Sequence, residues 1–104
     1  MLIVTTEQIP GKKYTVLGMA KGGIVQSKHL GRDIGASLKT LVGGELKGYT
    51  EMINEASAMA TKRMAEEAQK LGADAIVCVR YMSSSVAAGA AEVVAYGTAV
   101  KFEE

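Results

Sequence analysis

A long amphipathic segment constrains this fold more than any other feature of the sequence. From Tyr49 to Leu71 apolar side chains recur at every third or fourth position, which is the spacing of one helix face. They are Tyr49, Met52, Ile53, Ala56, Met59, Ala60, Met64, Ala68 and Leu71. A helix of this length measures about 35 Å at 1.5 Å per residue, whereas a compact chain of about 100 residues has a radius of gyration of about 13 Å. One such helix therefore spans a large part of the fold.

The sequence also predicts where helices end. Gly72 follows the long stripe directly, and glycine is favoured just after a helix because it adopts left-handed backbone angles at little cost. A shorter apolar stripe precedes the long one and predicts a first helix, which Gly43 and Gly44 would end. Its apolar residues are Leu30, Ile34, Leu38 and Leu41.

Three further segments are predicted to be β-strands, because β-branched and apolar residues fill Tyr14–Gln26, Ala73–Tyr81 and Glu92–Phe102. Glycines within the first of them, Gly18, Gly22 and Gly23, indicate a bulge or the close approach of another backbone. The linker Ser83–Gly89 is small, turn-like and too short for a crossover, so the last two strands should pair antiparallel as a hairpin. The expected fold is α+β, in the order strand, helix, helix, strand, strand, with an antiparallel sheet packed on one long helix.

This layout leaves one face of the sheet uncovered. The predicted strands are apolar on both sides of the pleat, and one long helix can cover only one face of a sheet of roughly three strands. A neighbouring copy of the chain is the simplest cover for the other face. We therefore expect a homo-oligomer.

Length and charge narrow the classes of function. A chain of 104 residues and 10.9 kDa is expected to form one domain over residues 1–104. Twelve Lys and Arg against eleven Asp and Glu give a net charge of +1, which predicts neither nucleic-acid nor membrane binding. One cysteine cannot form an intramolecular disulfide, and the N-terminus lacks a secretory signal pattern, so the cytoplasm is the expected compartment.

Cys78 is the first candidate for chemistry. It lies two residues before Arg80 in a predicted strand and hence on the same face, where the guanidinium could favour a reactive or metal-binding thiolate. Two plainer interpretations stay open. Cys78 would pack as a small buried apolar side chain, and Arg80 would pair with Glu92 across the hairpin or with an acidic residue of a neighbouring subunit.

His29 is the second candidate, as the only histidine. With Asp33 four residues later it could present two metal ligands on one helix face. A surface histidine between a strand and a helix is the alternative, because one His–Asp pair lacks the further ligands that a tetrahedral site needs.

A glycine-containing loop before the long helix is the third candidate. The residues that could bind a ligand there are Gly43, Gly44, Glu45, Lys47 and Tyr49. Free loop amides and Lys47 would favour an anion, but a phosphate-binding P-loop has Ser or Thr after its lysine, whereas Gly48 follows Lys47. No Ser-His-Asp arrangement can be assembled from the sequence, and no catalytic residue is predicted. The alternative function is nevertheless an enzyme whose site forms between subunits around this loop.

Five short motifs together resemble the YbjQ family of small bacterial and archaeal proteins, and the resemblance covers nearly the whole chain. They are Val4–Thr6, Arg32–Ala36, Val42–Tyr49, Leu71–Ile76 and Ala95–Val100. The resemblance implies a small α/β subunit related to the dodecin-like folds, a homopentameric assembly and no established enzyme activity. It also implies a heavy or transition metal ion as ligand, since the family is described as heavy-metal-binding.

One subunit offers few soft-metal ligands, because the chain has one histidine and no Cys-x-x-Cys pair. A five-membered ring would increase the number of available ligands, since rotational symmetry would place five copies of Cys78 or His29 near its axis. The sequence therefore predicts a cytoplasmic homopentameric module that binds a metal or a small ligand between subunits and whose partner is itself.

Overall fold

The computed structural model describes residues 1–27, 44–87 and 89–104, with residues 44–47 described by their backbone alone. Within these ranges the elements are β1 (Leu2–Ile3), β2 (Tyr14–Ser27), α1 (Gly44–Lys70), β3 (Ala75–Ala87) and β4 (Ala90–Phe102). The α+β class and the long helix packed on a sheet are confirmed. The predicted first helix, over residues 30–41, lies outside the described residues.

The strands form one mixed sheet in the order β1-β3-β4-β2. Strand β4 pairs antiparallel with β3 on one side and with β2 on the other. Strand β1 pairs parallel with β3, so that Leu2 lies beside Ala75. The prediction of a purely antiparallel sheet is therefore wrong. A two-residue strand leaves no periodic pattern in the sequence, and its partner lies far along the chain.

The hairpin between β3 and β4 is longer than the sequence predicted. Its antiparallel pairing is confirmed, but residues 83–87 extend β3 and do not form part of a loop. The turn is confined to the end of the hairpin, where Gly89 has a φ of +73°. Serine has a low preference for strands, and pairing along β4 overrides it here.

Helix α1 packs its buried stripe on one face of the sheet. The buried members recur at every fourth residue and are Met52, Ala56, Ala60, Met64 and Ala68. Their neighbours in the core include Ala20, Ile76, Val79, Val93, Ala95 and Ala99. A Cβ atom added to Gly22 of β2 would meet the backbone nitrogen of Met64 and, at 2.5 Å, the carbonyl oxygen of Ala60. The close backbone approach predicted from the glycines is therefore confirmed at Gly22.

Gly72 caps the C-terminus of α1, as predicted. Gly72 has a φ of +81°, and its N–H donates to the carbonyl of Gln69 at 2.9 Å. The N–H of Ala73 donates to the carbonyl of Ala68 at 3.1 Å, which completes the two-bond Schellman cap. No helix in the described part of the chain is both long enough and apolar enough to cross a membrane.

Candidate functional site

The sheet side turned away from α1 carries a surface that the sequence did not single out. Along β4, Val93, Ala95 and Ala99 belong to the core under the helix, so the residues between them point to the other side. Pairing with β2 and β3 places the partners of those residues on the same side. We call this surface the open face. It comprises Met19, Lys21, Gly23 and Val25 of β2, Arg80, Met82 and Ser84 of β3, and Glu92, Val94, Tyr96 and Thr98 of β4.

The apolar side chains of the open face are exposed. Met19, Met82 and Val25 retain 70%, 60% and 58% of their accessible surface, and Val94 and Tyr96 are half-buried. Several large apolar side chains exposed on one side of a sheet are typical of an interaction surface. Within the described part of the chain, this stretch of the sheet is therefore exposed on the side turned away from α1.

The N-terminal segment covers only the other end of this sheet side. The second core cluster contains Ala75, Val77 and Val100, with Val4, Ile9, Tyr14, Cys78 and Phe102 packed against it. The backbone of Val4 holds the segment in place, because its N–H donates to the carbonyl of Ile76 at 2.9 Å and its carbonyl accepts from Val79 at 3.1 Å. The open face lies beyond this cover.

Cys78 lies in a β-bulge beneath the N-terminal segment. Its φ of +56° is in the left-handed region, which residues with a side chain rarely adopt, and the pairing with β4 shifts register between Val77 and Arg80. The side chain is half-buried in the second core cluster, and the N–H donates to the carbonyl of Thr6 at 3.1 Å. This placement agrees with the packing interpretation of Cys78.

The guanidinium of Arg80 binds backbone carbonyl groups. Its Nη1 atom donates to the carbonyl oxygens of Thr5 at 3.1 Å and of Val79 at 2.8 Å. Both acceptors are backbone carbonyl groups, and that of Thr5 belongs to the N-terminal segment. Arg80 therefore helps to fasten that segment to β3.

The predicted pair of Arg80 with Glu92 is wrong. Arg80 lies opposite Tyr96, whereas Glu92 lies opposite Ser84. The two charges are therefore separated along the hairpin. The sequence could not give this register, because it depends on the bulge at Cys78 and on how far the hairpin extends.

The described residues of one copy do not fit a heavy-metal site. No group of three or more His, Cys, Asp or Glu side chains comes together among them, whereas a closed site for a soft metal takes four such ligands. The thiol of Cys78 packs among apolar side chains. His29 and Asp33 lie outside the described residues.

The predicted ligand loop is a helix from Gly44 onward, so the loop interpretation is wrong there. Gly44, Glu45 and Lys47 belong to the N-terminal part of α1, and Tyr49 follows with a half-buried side chain. Glycine is tolerated at a helix N-terminus, and an acidic residue in the first turn is favoured by the helix dipole. Gly43 lies outside the described residues.

Small residues at alternate positions of β4 were the signal that could have identified the open face. Ala91, Ala95, Gly97 and Ala99 are all buried under the helix side of the sheet, and small side chains on one face of a strand indicate a closely packed helix. The residues between them then have to point to the opposite side.

A solved structure shares the fold. The crystal structure of a protein of unknown function from Pediococcus pentosaceus, assigned to the DUF74 family, superposes with a TM-score of 0.67. The match covers 99% of this chain and 98% of that chain at 18% sequence identity. At that identity the likeness shows the fold alone.

Closely similar sequences occur in bacteria and archaea. A UPF0145 protein from Thermotoga maritima is 59% identical over 105 residues, covering 100% of this chain and 99% of the relative. Another from Methanosarcina acetivorans is 57% identical over 102 residues, covering 97% and 96%. The family model YbjQ_1, described as "Putative heavy-metal-binding", matches residues 1–103. The chain therefore belongs to the YbjQ family, whose curated relatives carry the name UPF0145.

Proposed function

We propose that the protein is a non-catalytic homo-oligomeric binding module in which the open face is buried against another copy of the chain. The exposed Met19, Val25 and Met82 on that face carry the proposal. Burying the remaining surface of each such side chain contributes on the order of 1 kcal/mol to association. Several of them on one side of the sheet favour a stable interface.

The shape of the subunit supports assembly. Its extents are 56 × 23 × 16 Å and its radius of gyration is 17.0 Å, against about 13 Å for a compact chain of similar length. Strands of 13 or 14 residues produce this elongation. An elongated chain leaves more apolar surface in water than a compact one, and contact with further copies removes that surface.

The assembly we propose is a pentameric ring, as the resemblance to the family implies. An odd-numbered ring requires contacts between two different surfaces of adjacent copies. The open face of one copy would therefore rest on a surface of its neighbour other than the neighbour's own open face.

The ligand in this proposal is a metal ion or a small molecule held between subunits. Because one copy does not bring three metal ligands together among its described residues, the proposal assigns any metal to symmetry-related copies of Cys78 or His29. The proposed compartment is the reducing cytoplasm, because Cys78 is the only cysteine and has no disulfide partner in the chain.

The test compares two substitutions of Met82 by light scattering after size-exclusion chromatography. Met82→Glu places a charge on the open face and should shift the assembly to monomers at micromolar concentration. Met82→Leu keeps an apolar side chain of similar volume and should assemble like the wild type. Because Met82 is exposed, both variants should keep the wild-type far-UV circular dichroism. An unchanged assembly in Met82→Glu would contradict burial of the open face.

A further inference from the structure

Strand β2 is an outer strand of the sheet that the described residues form, and its free edge needs protection against unwanted pairing. It is 14 residues long and pairs with β4 on one side. The other side of an outer strand presents N–H and C=O groups to which a strand of another chain can add. Strand addition at this edge would compete with association through the open face and could extend without limit, so an assembly that uses the open face benefits from keeping this edge unpaired.

Two adjacent glycines leave the middle of β2 without side chains that could shield it. Gly22 has no room for one, because the backbone of α1 lies against it. At Gly23 an added Cβ would be 3.4 Å from the Cγ2 of Val94, an ordinary contact. Protection of this part of the strand therefore has to come from another element.

Arg63 of α1 supplies such protection. Its Cβ lies next to the position that a Cβ of Gly22 would occupy, and its Nη1 donates to the carbonyl oxygen of Gly23 at 2.7 Å. This charge-assisted bond occupies an acceptor that a pairing strand would use. It also leaves a guanidinium at the edge, which an incoming strand would have to desolvate.

Other charged side chains of α1 crowd the same stretch. A shallow cavity of about 500 Å³ is lined by Lys21, Gly22, Gly23, Arg63, Glu66, Glu67 and Lys70. Lys70 and Glu67 form an ion pair of 2.7 Å, and the hydrogen bond and charge of Glu67 raise the pKa of Lys70. Charges at a sheet edge disfavour edge-to-edge pairing.

We infer that Arg63 closes the β2 edge to strand addition and thereby confines assembly to the open face. The inference rests on the proposed function, since it presupposes that copies associate through that face. In this inference Arg63 acts on the specificity of assembly, because it blocks a competing contact.

The first test compares Arg63→Ala with Lys62→Ala. Lys62 is the exposed cation next to Arg63 in α1 and does not line the edge cavity. Lys62→Ala should keep the wild-type distribution of masses in light scattering. Arg63→Ala should form larger species that grow with time and concentration and bind thioflavin T. Arg63→Gln, which keeps much of the packed stem, should do the same. If both Arg63 variants behave like Lys62→Ala, the inference is overturned while the proposed function stands.

The second test uses the wild-type protein and needs no variant. In a strand the N–H and C=O of one residue point to the same side, so the amide of Gly23 shares the outer edge with the carbonyl that Arg63 occupies. Hydrogen exchange of this amide in the assembled protein should be fast. Protection equal to that of the central strand β4 would show a paired edge and overturn the inference. A wild-type protein that stays monomeric would instead contradict the proposed function.

Discussion

The backbone of Gly22 in β2 lies in direct contact with the backbone of Met64 in α1, with no side chain between strand and helix at that point. The helix contributes alanines on either side of Met64, at Ala60 and Ala68, which are fully buried. Small residues on both elements let the two backbones approach. This contact fixes the distance between helix and sheet, and hence the placement of Arg63 at the strand edge.

Gly22→Ala and Gly23→Ala should therefore differ strongly in stability. At Gly22 the new methyl group would overlap the backbone of α1, and relief would require the helix to move. We expect a loss of about 3 kcal/mol in the free energy of unfolding. At Gly23 the methyl group would meet only Val94 at an ordinary distance, so we expect a change below about 1 kcal/mol.

Urea unfolding of both variants at one protomer concentration measures this difference, since association stabilises the folded state by mass action. Equal losses in the two variants would contradict the close packing of α1 on Gly22.

Local signals in the sequence predicted the main elements. The apolar stripe predicted α1, and Gly72 predicted its end, because spacing and capping depend on residues near one another in the chain. Strand β1 and the full length of the hairpin were missed, because pairing with distant residues decides both. The presence of β1 and the length of the hairpin therefore depend on pairing between residues far apart in the chain, which a local sequence pattern does not reveal.

The candidate sites were harder to predict than the elements. Strand alternation placed Cys78 and Arg80 on one face, and both do lie on the sheet side turned away from α1. The bulge at Cys78 shifts the register by one residue, so that Arg80 lies opposite Tyr96. The open face follows from which side of β4 the helix covers, a fact of tertiary packing. Its existence was predicted from the lack of a second cover, but its residues were not.

The metal part of the proposal makes a separate prediction. If symmetry-related side chains hold a heavy metal, Cys78→Ser or His29→Ala should remove stoichiometric metal from the purified assembly without dissociating it. Elemental analysis by mass spectrometry, on protein prepared without chelator or affinity tag, measures the metal. Full retention of metal in both variants would rule out these two residues as ligands.

Native mass spectrometry of the untagged wild-type protein tests the central claim most directly, because it reports the mass of the assembly and of anything bound to it. The account predicts one dominant species of about 55 kDa, five times the 10.9 kDa of the chain. Added mass on that species would identify the bound metal or ligand. A dominant species of 10.9 kDa at micromolar protomer concentration would contradict the burial of the open face between copies.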